Sequence, residues 1–250
     1  MANQVDPRLA SIRPRVTTGA GGVAVYDEGL RSYMLSVYNY MASGVLLTGI
    51  VSGFFARGAT PQESLAGQIF LQPGFLKWIV MLAPLGLVMW LSFGINSLSE
   101  TAAKAIFWAY AALMGASLST IFLAYTGASV ASTFFATAAG FGALSLYGYT
   151  TKRDLSGLGK FLLMGLVGLI IASLINVFTQ SSTASLLISI VGVFLFAGLT
   201  VYDTQKIKNA YDQVAGTDFM GKAVVMGALT LYLDFINLFL FLLRFMGDRR

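Results

Sequence analysis

The sequence contains no cysteine and no histidine. Without cysteine the chain can form neither a disulfide framework nor a thiolate metal site, and it has no cysteine nucleophile. The absence of histidine removes the usual imidazole metal ligand and the ordinary pH switch near neutrality. Any proton chemistry must therefore use carboxylates or lysines.

Charged residues are also scarce. Only 11 % of the 250 residues are charged, whereas 56 % are apolar, and soluble proteins carry roughly 25 % charged residues. The charges collect in short clusters between long apolar stretches, which is typical of a chain whose solvent is lipid. The basic residues do not form one patch with aromatic residues, so we expect a lipid bilayer as partner and no nucleic acid.

Seven apolar stretches are long enough to cross a membrane, which takes roughly 20 residues. They cover about 36–56, 76–97, 104–125, 129–149, 158–178, 183–203 and 223–243. Backbone polar groups in lipid must pair within the segment, so these stretches should be helices. Small residues such as Gly44, Thr48 and Ser52 permit close helix contact. The sequence therefore predicts an all-α polytopic bundle of about seven transmembrane helices over 32–246.

The first 31 residues are polar, and we expect them to form an N-terminal cytoplasmic tail. Pro7, Pro14 and the glycine-rich run 19–22 disfavour a stable helix there. A cleavable signal peptide is not expected, because the first apolar run starts only near Ser36 and lasts for a full span. A short C-terminal tail, 247–250, follows the last span.

Lysine and arginine positions favour an N-terminus in the cytoplasm. With that orientation the inside segments carry 11 basic residues and the outside segments carry 5, as the positive-inside rule requires. An odd number of spans then puts the basic C-terminus outside, whereas a re-entrant seventh segment would return it to the cytoplasm. Charge counting leaves both alternatives open.

Two acidic residues stand out within the spans, Asp203 at the inner end of the sixth and Asp234 halfway along the seventh. Asp234 is roughly 16 Å deep at 1.5 Å per residue, where an ionised side chain costs several kcal/mol unless it is paired or hydrated. Thr230 and Asn237 share its helical face, which should point into the bundle. Alternatively, Asp203 is a solvated helix-end residue and Asp234 a neutral core acid.

The topology allows Asp203 and Asp234 to meet, because the sixth span ends and the seventh begins on the same side. Two carboxylates in a low-dielectric site cannot both ionise cheaply, so they should share a proton and respond to pH jointly. When both are ionised they would attract Ca²⁺, a hard cation that prefers oxygen ligands. We expect this pair to be the metal and proton-sensing site, with no catalytic residue and no cofactor.

The segments around the two aspartates resemble the paired signature of the Bax inhibitor-1 family. They read Tyr-Asp-Thr-Gln-Lys-Ile at 202–207 and Leu-Tyr-Leu-Asp-Phe-Ile-Asn-Leu-Phe at 231–239. Similarity at 37–41 and 146–154 extends the resemblance over the membrane region. It implies a bacterial inner-membrane protein with seven helices, the last one central. It also implies a di-aspartyl sensor, at Asp203 and Asp234, that couples protonation to a Ca²⁺ leak.

The sequence departs from this pattern at the end of the second span. In some bacterial relatives an arginine there helps to latch the aspartate pair, but here residues 92–97 read Ser-Phe-Gly-Ile-Asn-Ser and supply no cation. The Asn96 amide could donate a hydrogen bond to a carboxylate, although it cannot neutralise the charge. The gating pH can therefore differ from that of relatives.

Three functions follow from these features. The first is a pH-sensitive Ca²⁺ (cation) leak channel gated by the aspartate pair. The second is a regulatory interaction protein that restrains a membrane protease or stress response, with the tail 1–31 as a contact. The third, an intramembrane aspartyl protease, is disfavoured because residues 231–233 read Leu-Tyr-Leu instead of Gly-x-Gly and no Pro-Ala-Leu motif follows. No phosphate loop or nucleophile elbow occurs, so we predict no enzyme.

Overall fold

The computed structural model describes residues 20–58, 60 and 62–249, and nearly all regular structure in these ranges is helical. The helices are α1 (Ala20–Phe55), α2 (Leu65–Phe70), α3 (Leu76–Gly94), α4 (Glu100–Leu118), α5 (Ile121–Ala124), α6 (Gly127–Thr150), α7 (Ser156–Thr179), α8 (Ser182–Val214) and α9 (Met220–Met246). The only β-type pairing in these ranges is an isolated bridge between Tyr125 and Arg249.

Seven helical segments within the described ranges are long and apolar enough to cross a membrane. They are α1, α3, α4 together with α5, α6, α7, α8 and α9. Each overlaps one of the predicted spans to within three residues of its predicted C-terminal end or contains it entirely, so the all-α polytopic bundle is confirmed. The short helix α2 lies in the connection between α1 and α3, where the Ser64 hydroxyl caps it by accepting a hydrogen bond from the Gly67 N–H.

Helix α9 is the centre of the bundle, as the family resemblance implies. In its most apolar stretch 72 % of the residues are buried, against 11 to 39 % in the other six spans. It packs against α1, α4, α6 and α8. Helices α3 and α7 are the most peripheral and expose large apolar side chains such as Phe93 and Phe178, which suits contact with lipid rather than water.

Helix α1 begins at Ala20, so the predicted absence of helix in residues 20–31 is wrong. The reason is tertiary packing, which outweighs local propensity. The Tyr26 ring lies 5.5 Å from the Tyr211 ring of α8, and the Tyr26 hydroxyl donates a hydrogen bond of 2.5 Å to Asp212 Oδ1. Residues 1–19 of the predicted tail lie outside the described residues.

Helix α8 continues past the predicted end of the sixth span and ends only at Val214. Buried residues on this extension, Ile207, Tyr211 and Val214, give it an apolar inner face that packs against the bundle. Asp203 is therefore an interior helical residue, and the alternative that it is a solvated helix-end residue is wrong.

The C-terminus lies at the opposite end of α9 from the α8–α9 turn. Asp248 donates its N–H to Ser129 Oγ over 2.8 Å, and its carbonyl accepts the Thr126 N–H over 3.2 Å. The chain thus ends beside the turn that precedes α6. Because α9 is one continuous helix of 27 residues, the re-entrant alternative is wrong.

Helices α1, α4 and α9 meet at the buried side chain of Thr48. Its hydroxyl donates to the Ala111 carbonyl over 2.8 Å and shares a 2.6 Å hydrogen bond with the Tyr232 hydroxyl. Gly115, one turn after Ala111, lets α4 approach α1, because a Cβ there would lie 2.6 Å from the Thr48 carbonyl oxygen. This contact fixes one side of α9.

We expect Gly115→Ala to destabilise the bundle, because the added methyl group forces the α1 and α4 backbones apart. Overpacking of this kind costs about 1–3 kcal/mol. Gly86→Ala in α3 is the matched control, since nothing lies within 4 Å of the new Cβ. Thermal unfolding of the purified variants in one detergent measures the difference, and equal midpoints for Gly115→Ala and the wild type would contradict the close approach.

Candidate functional site

Helices α8 and α9 bring Asp203 and Asp234 together. The two helices are connected by a short turn and pack against each other. The side chains of Asp203 and Asp234 are 8 % and 4 % exposed, and their carboxyl groups interact directly. The structure therefore contains the side-chain pair that the spacing predicts.

The pair has little electrostatic compensation. Oδ2 of Asp234 is buried and has no hydrogen-bond partner among the described residues. The ammonium group of Lys206, three residues after Asp203, attracts the Asp203 carboxylate, but the Lys206 side chain itself is exposed. Because two adjacent buried carboxylates repel, the observed contact is favourable when the pair holds a proton.

The pair lines a cavity of about 530 Å³ between α7, α8 and α9. Thr230 and Asn237 line the same cavity, as their position on the Asp234 face predicts. The Thr230 hydroxyl donates to the Met226 carbonyl over 3.0 Å, and the Asn237 amide nitrogen donates to the Leu233 carbonyl over 2.8 Å. The side-chain oxygens of both residues can still accept a hydrogen bond, while most of the remaining wall is apolar.

Asn96 does not belong to this site. It is an exposed residue of the turn between α3 and α4 and is not part of the cavity wall. Its backbone carbonyl, rather than its side-chain amide, is engaged, by Lys222 Nζ at 3.4 Å. The predicted hydrogen bond to a carboxylate is absent because α3 packs against α4 and α2, away from the cavity between α7, α8 and α9.

The cavity offers oxygen ligands for a hard cation. Ca²⁺ takes roughly six to eight oxygens, and the two carboxyl groups with Thr230 and Asn237 provide at most six. Among the described residues no group of three or more His, Cys, Asp or Glu side chains could hold a metal ion. A Ca²⁺ ion at the pair would keep part of its hydration shell unless every one of these oxygens bound it.

A clamp between α8 and the α6–α7 connection was not predicted. The Gln205 side chain accepts the Leu155 N–H over 2.9 Å and donates to the Arg153 carbonyl over 2.8 Å. Lys208 Nζ donates to the Tyr149 carbonyl over 2.8 Å. These bonds fix the segment of α8 that follows the pair. The sequence feature that could have revealed these bonds is Gln205, because a polar side chain on the buried face of a helix needs hydrogen-bond partners.

Asp154, outside the spans, contrasts with the buried pair. Hydrogen bonds from the Ser156 hydroxyl and from its N–H, the latter 2.9 Å long, lower the pKa of Asp154. This carboxylate is fully ionised at neutral pH and lies at the start of α7, where negative charge favours a helix N-terminus. It therefore has no part in proton sensing.

Comparison with known proteins gives consistent matches over most of the chain. Residues 30–250 match the family model described as Inhibitor of apoptosis-promoting Bax1. An uncharacterized protein of Rickettsia prowazekii is 50 % identical over 226 residues, which cover 90 % of this chain and 93 % of that protein. The inner membrane protein YbhL of Escherichia coli K12 is 49 % identical over 224 residues, covering 89 % and 94 %.

A more distant relative shows the same extent of similarity. An uncharacterized membrane protein of Streptococcus pyogenes serotype M3 is 40 % identical over 221 residues, which cover 88 % of this chain and 94 % of that protein. The family model, over residues 30–250, covers most of α1, the other six membrane-spanning segments and both aspartates of the pair. The chain is an integral membrane protein that belongs to the Bax inhibitor-1 family.

Proposed function

We propose that the protein is a pH-sensitive Ca²⁺ (cation) leak channel, gated by Asp203 and Asp234, in a bacterial inner membrane. The location follows the name of its relative YbhL. The observation that supports the channel is the buried pair of interacting carboxyl groups at a cavity inside the bundle. Such groups are costly in a membrane and mark ion or proton pathways there. Enzymatic activity is not part of the proposal.

The gate follows from the electrostatics of the pair. When the carboxyl groups share a proton they attract each other, and α8 and α9 stay in contact at this point. When both are ionised they repel each other and draw in water or a cation. Protons and Ca²⁺ compete for the same oxygens, so lowering the pH weakens Ca²⁺ binding at the pair.

We also propose that the N-terminus is in the cytoplasm, which puts the α8–α9 turn in the cytoplasm as well. The connections α6–α7 and α8–α9, with the α8 extension, carry a cluster of basic residues, among them Lys152, Arg153, Lys206 and Lys208. The opposite end has few basic residues apart from the C-terminus, and the positive-inside rule then places the cluster inside. With this orientation the pair is reached from the cytoplasmic half of the bundle.

A second proposal is a regulatory interaction with a membrane protease or stress-response protein. The observation that favours it is the exposed face of the helix pair formed by the N-terminal part of α1 and the α8 extension, which are joined by the Tyr26 contacts with Tyr211 and Asp212. Exposed side chains on it, such as Asp27, Glu28 and Gln213, could contact a partner. This helix pair includes part of the segment 1–31 predicted as the contact.

Asp203→Asn and Asp234→Asn test the channel. We expect Ca²⁺ flux into proteoliposomes of the wild type to change with pH, and either variant to lose that dependence, because an amide cannot exchange a proton with its neighbour. Asp218→Asn is the matched control, since it makes the same substitution at an exposed residue of the α8–α9 turn and should keep the wild-type pH profile.

Reconstitution levels must be matched across the four proteins. An unchanged pH profile in both pair variants would show that another group senses pH. Flux no higher than in empty liposomes at every pH would overturn the leak proposal, and the regulatory proposal would then lead.

The orientation can be tested directly because the chain has no cysteine. We expect Gln180→Cys, between α7 and α8, to react with a membrane-impermeant thiol reagent on intact cells. Asp218→Cys, between α8 and α9, should react only after permeabilisation. Both residues are exposed, so burial does not bias the comparison. The reverse pattern would show an N-terminus outside.

A further inference from the structure

Helices α1 and α6 leave an open groove between them, with α9 as its floor. Its larger part has a volume of about 720 Å³ and is lined mainly by apolar residues, including Met41 of α1, Gly142 of α6 and Phe235 of α9. A second cavity of about 420 Å³ continues it and shares Val45 and Phe134 with it.

The groove is about as long as the hydrocarbon core of a membrane is thick. On α1 its wall runs from Arg31 to Ser52, which is roughly 30 Å at 1.5 Å per residue, about the thickness of the hydrocarbon core. Leu35 and Leu46 on its rim are 51 % and 64 % exposed. In a bilayer such an apolar opening is filled by lipid chains.

The end of the groove on the side of the α8–α9 turn is basic and aromatic. Arg31 lies there and is exposed, and it forms no ion pair within the described part of the chain, although Asp27 and Glu28 lie one turn before it. Lys208 reaches the same end, because its Nζ lies 2.8 Å from the carbonyl oxygen of Tyr149 and 5.1 Å from the centre of its ring. Tyr149 lines the groove.

We propose that this groove binds an anionic phospholipid, with an acyl chain along α1 and α6 and the phosphate between Arg31 and Lys208. Charge complementarity selects this occupant, because an apolar channel that ends at two cations and a tyrosine matches an acyl chain attached to an anionic headgroup. A helix of another protein is a less suitable occupant, because its diameter is about 10 Å and an acyl chain is much narrower. The site lies on a different side of α9 from the carboxyl cavity and does not depend on the proposed leak.

Gly142→Phe is the sharpest variant for testing the site. Nothing lies within 4 Å of a Cβ at Gly142, and Gly142 lines the groove, so the new ring should extend into the groove. Gly140→Phe is the matched control: Gly140 is also exposed on α6 with nothing within 4 Å of its Cβ, but it is not part of the groove wall. Both variants should elute from size exclusion as the wild type does.

The measurement is native mass spectrometry of the purified full-length chain with phosphatidylglycerol and phosphatidylcholine at equal concentrations. We expect the wild type and Gly140→Phe to retain one phosphatidylglycerol preferentially, and Gly142→Phe to lose it. Arg31→Gln with Lys208→Gln should reduce the preference by about fivefold for each cation removed. Arg57→Gln with Lys160→Gln, which makes the same charge change at exposed residues outside the groove, should keep it.

Equal retention of phosphatidylglycerol by Gly142→Phe and Gly140→Phe would overturn the proposal. So would a wild type that binds both lipids equally. A wild-type dimer that Gly142→Phe dissociates and Gly140→Phe does not would overturn it too, since the groove would then hold a second copy of the chain.

Discussion

A carboxyl group in the middle of a membrane helix has to be neutralised by its surroundings, and Asp234 places this requirement on the rest of the bundle. An ionised acid there costs several kcal/mol when it is left to lipid. Helix α9 is accordingly covered by α1, α4, α6 and α8, and Asp203 faces Asp234 from α8. The central position of α9 and the antiparallel packing of α8 against it together give this buried acid its cover and its partner.

The polar contacts of α9 on its two sides differ in kind. On one side the Tyr232 hydroxyl meets Thr48 in a hydrogen bond between neutral groups, which holds at any pH in the physiological range. On the other side the contact between Asp203 and Asp234 is favourable or repulsive according to the number of protons that the pair holds. In the proposed mechanism the bundle therefore joins a side of α9 with fixed packing to a side whose packing depends on protonation.

The peripheral position of α7 strengthens this asymmetry. α7 forms one wall of the carboxyl cavity, yet it is among the least buried spans. The opposite wall of α9 is held by α1 and α4, whose backbones approach closely at Gly115. In the proposed mechanism, a displacement caused by repulsion within the pair would meet less resistance on the α7 side, where fewer residues are buried. The clamp at Gln205 and Lys208 holds α8 to the α6–α7 connection, so α8 and that connection are expected to move together.

The sequence alone was sufficient to predict the features that depend on a single helix. Span length and hydropathy predicted the seven helices, and helical periodicity placed Thr230 and Asn237 beside Asp234. Features that need two distant segments were not accessible in this way. The helix at 20–31 and the α8 extension support each other through Tyr26 and Tyr211, and neither shows an apolar pattern long enough to reveal its partner.

The predicted hydrogen bond from Asn96 to the carboxyl pair was wrong for the same reason, because it depends on two distant segments. Its distance along the chain from α3 is fixed by sequence, but its distance from the carboxyl pair depends on which helices surround α9. Apolar faces in a membrane bundle do not specify their neighbours, because lipid satisfies them equally well. The position of the C-terminus beside Ser129 was likewise open until the course of α9 was known.

The groove and the carboxyl cavity share one element, and this has a thermodynamic consequence. Phe235, in the groove, directly follows Asp234, in the cavity, so any shift of this turn of α9 changes both sites. If a phospholipid in the groove binds one position of α9 more tightly than another, it also changes the proton affinity of the pair. Linkage then requires protonation to change the lipid affinity by the same factor. A central helix with a proton site on one side and a lipid site on another can therefore couple the two without any direct contact between the ligands.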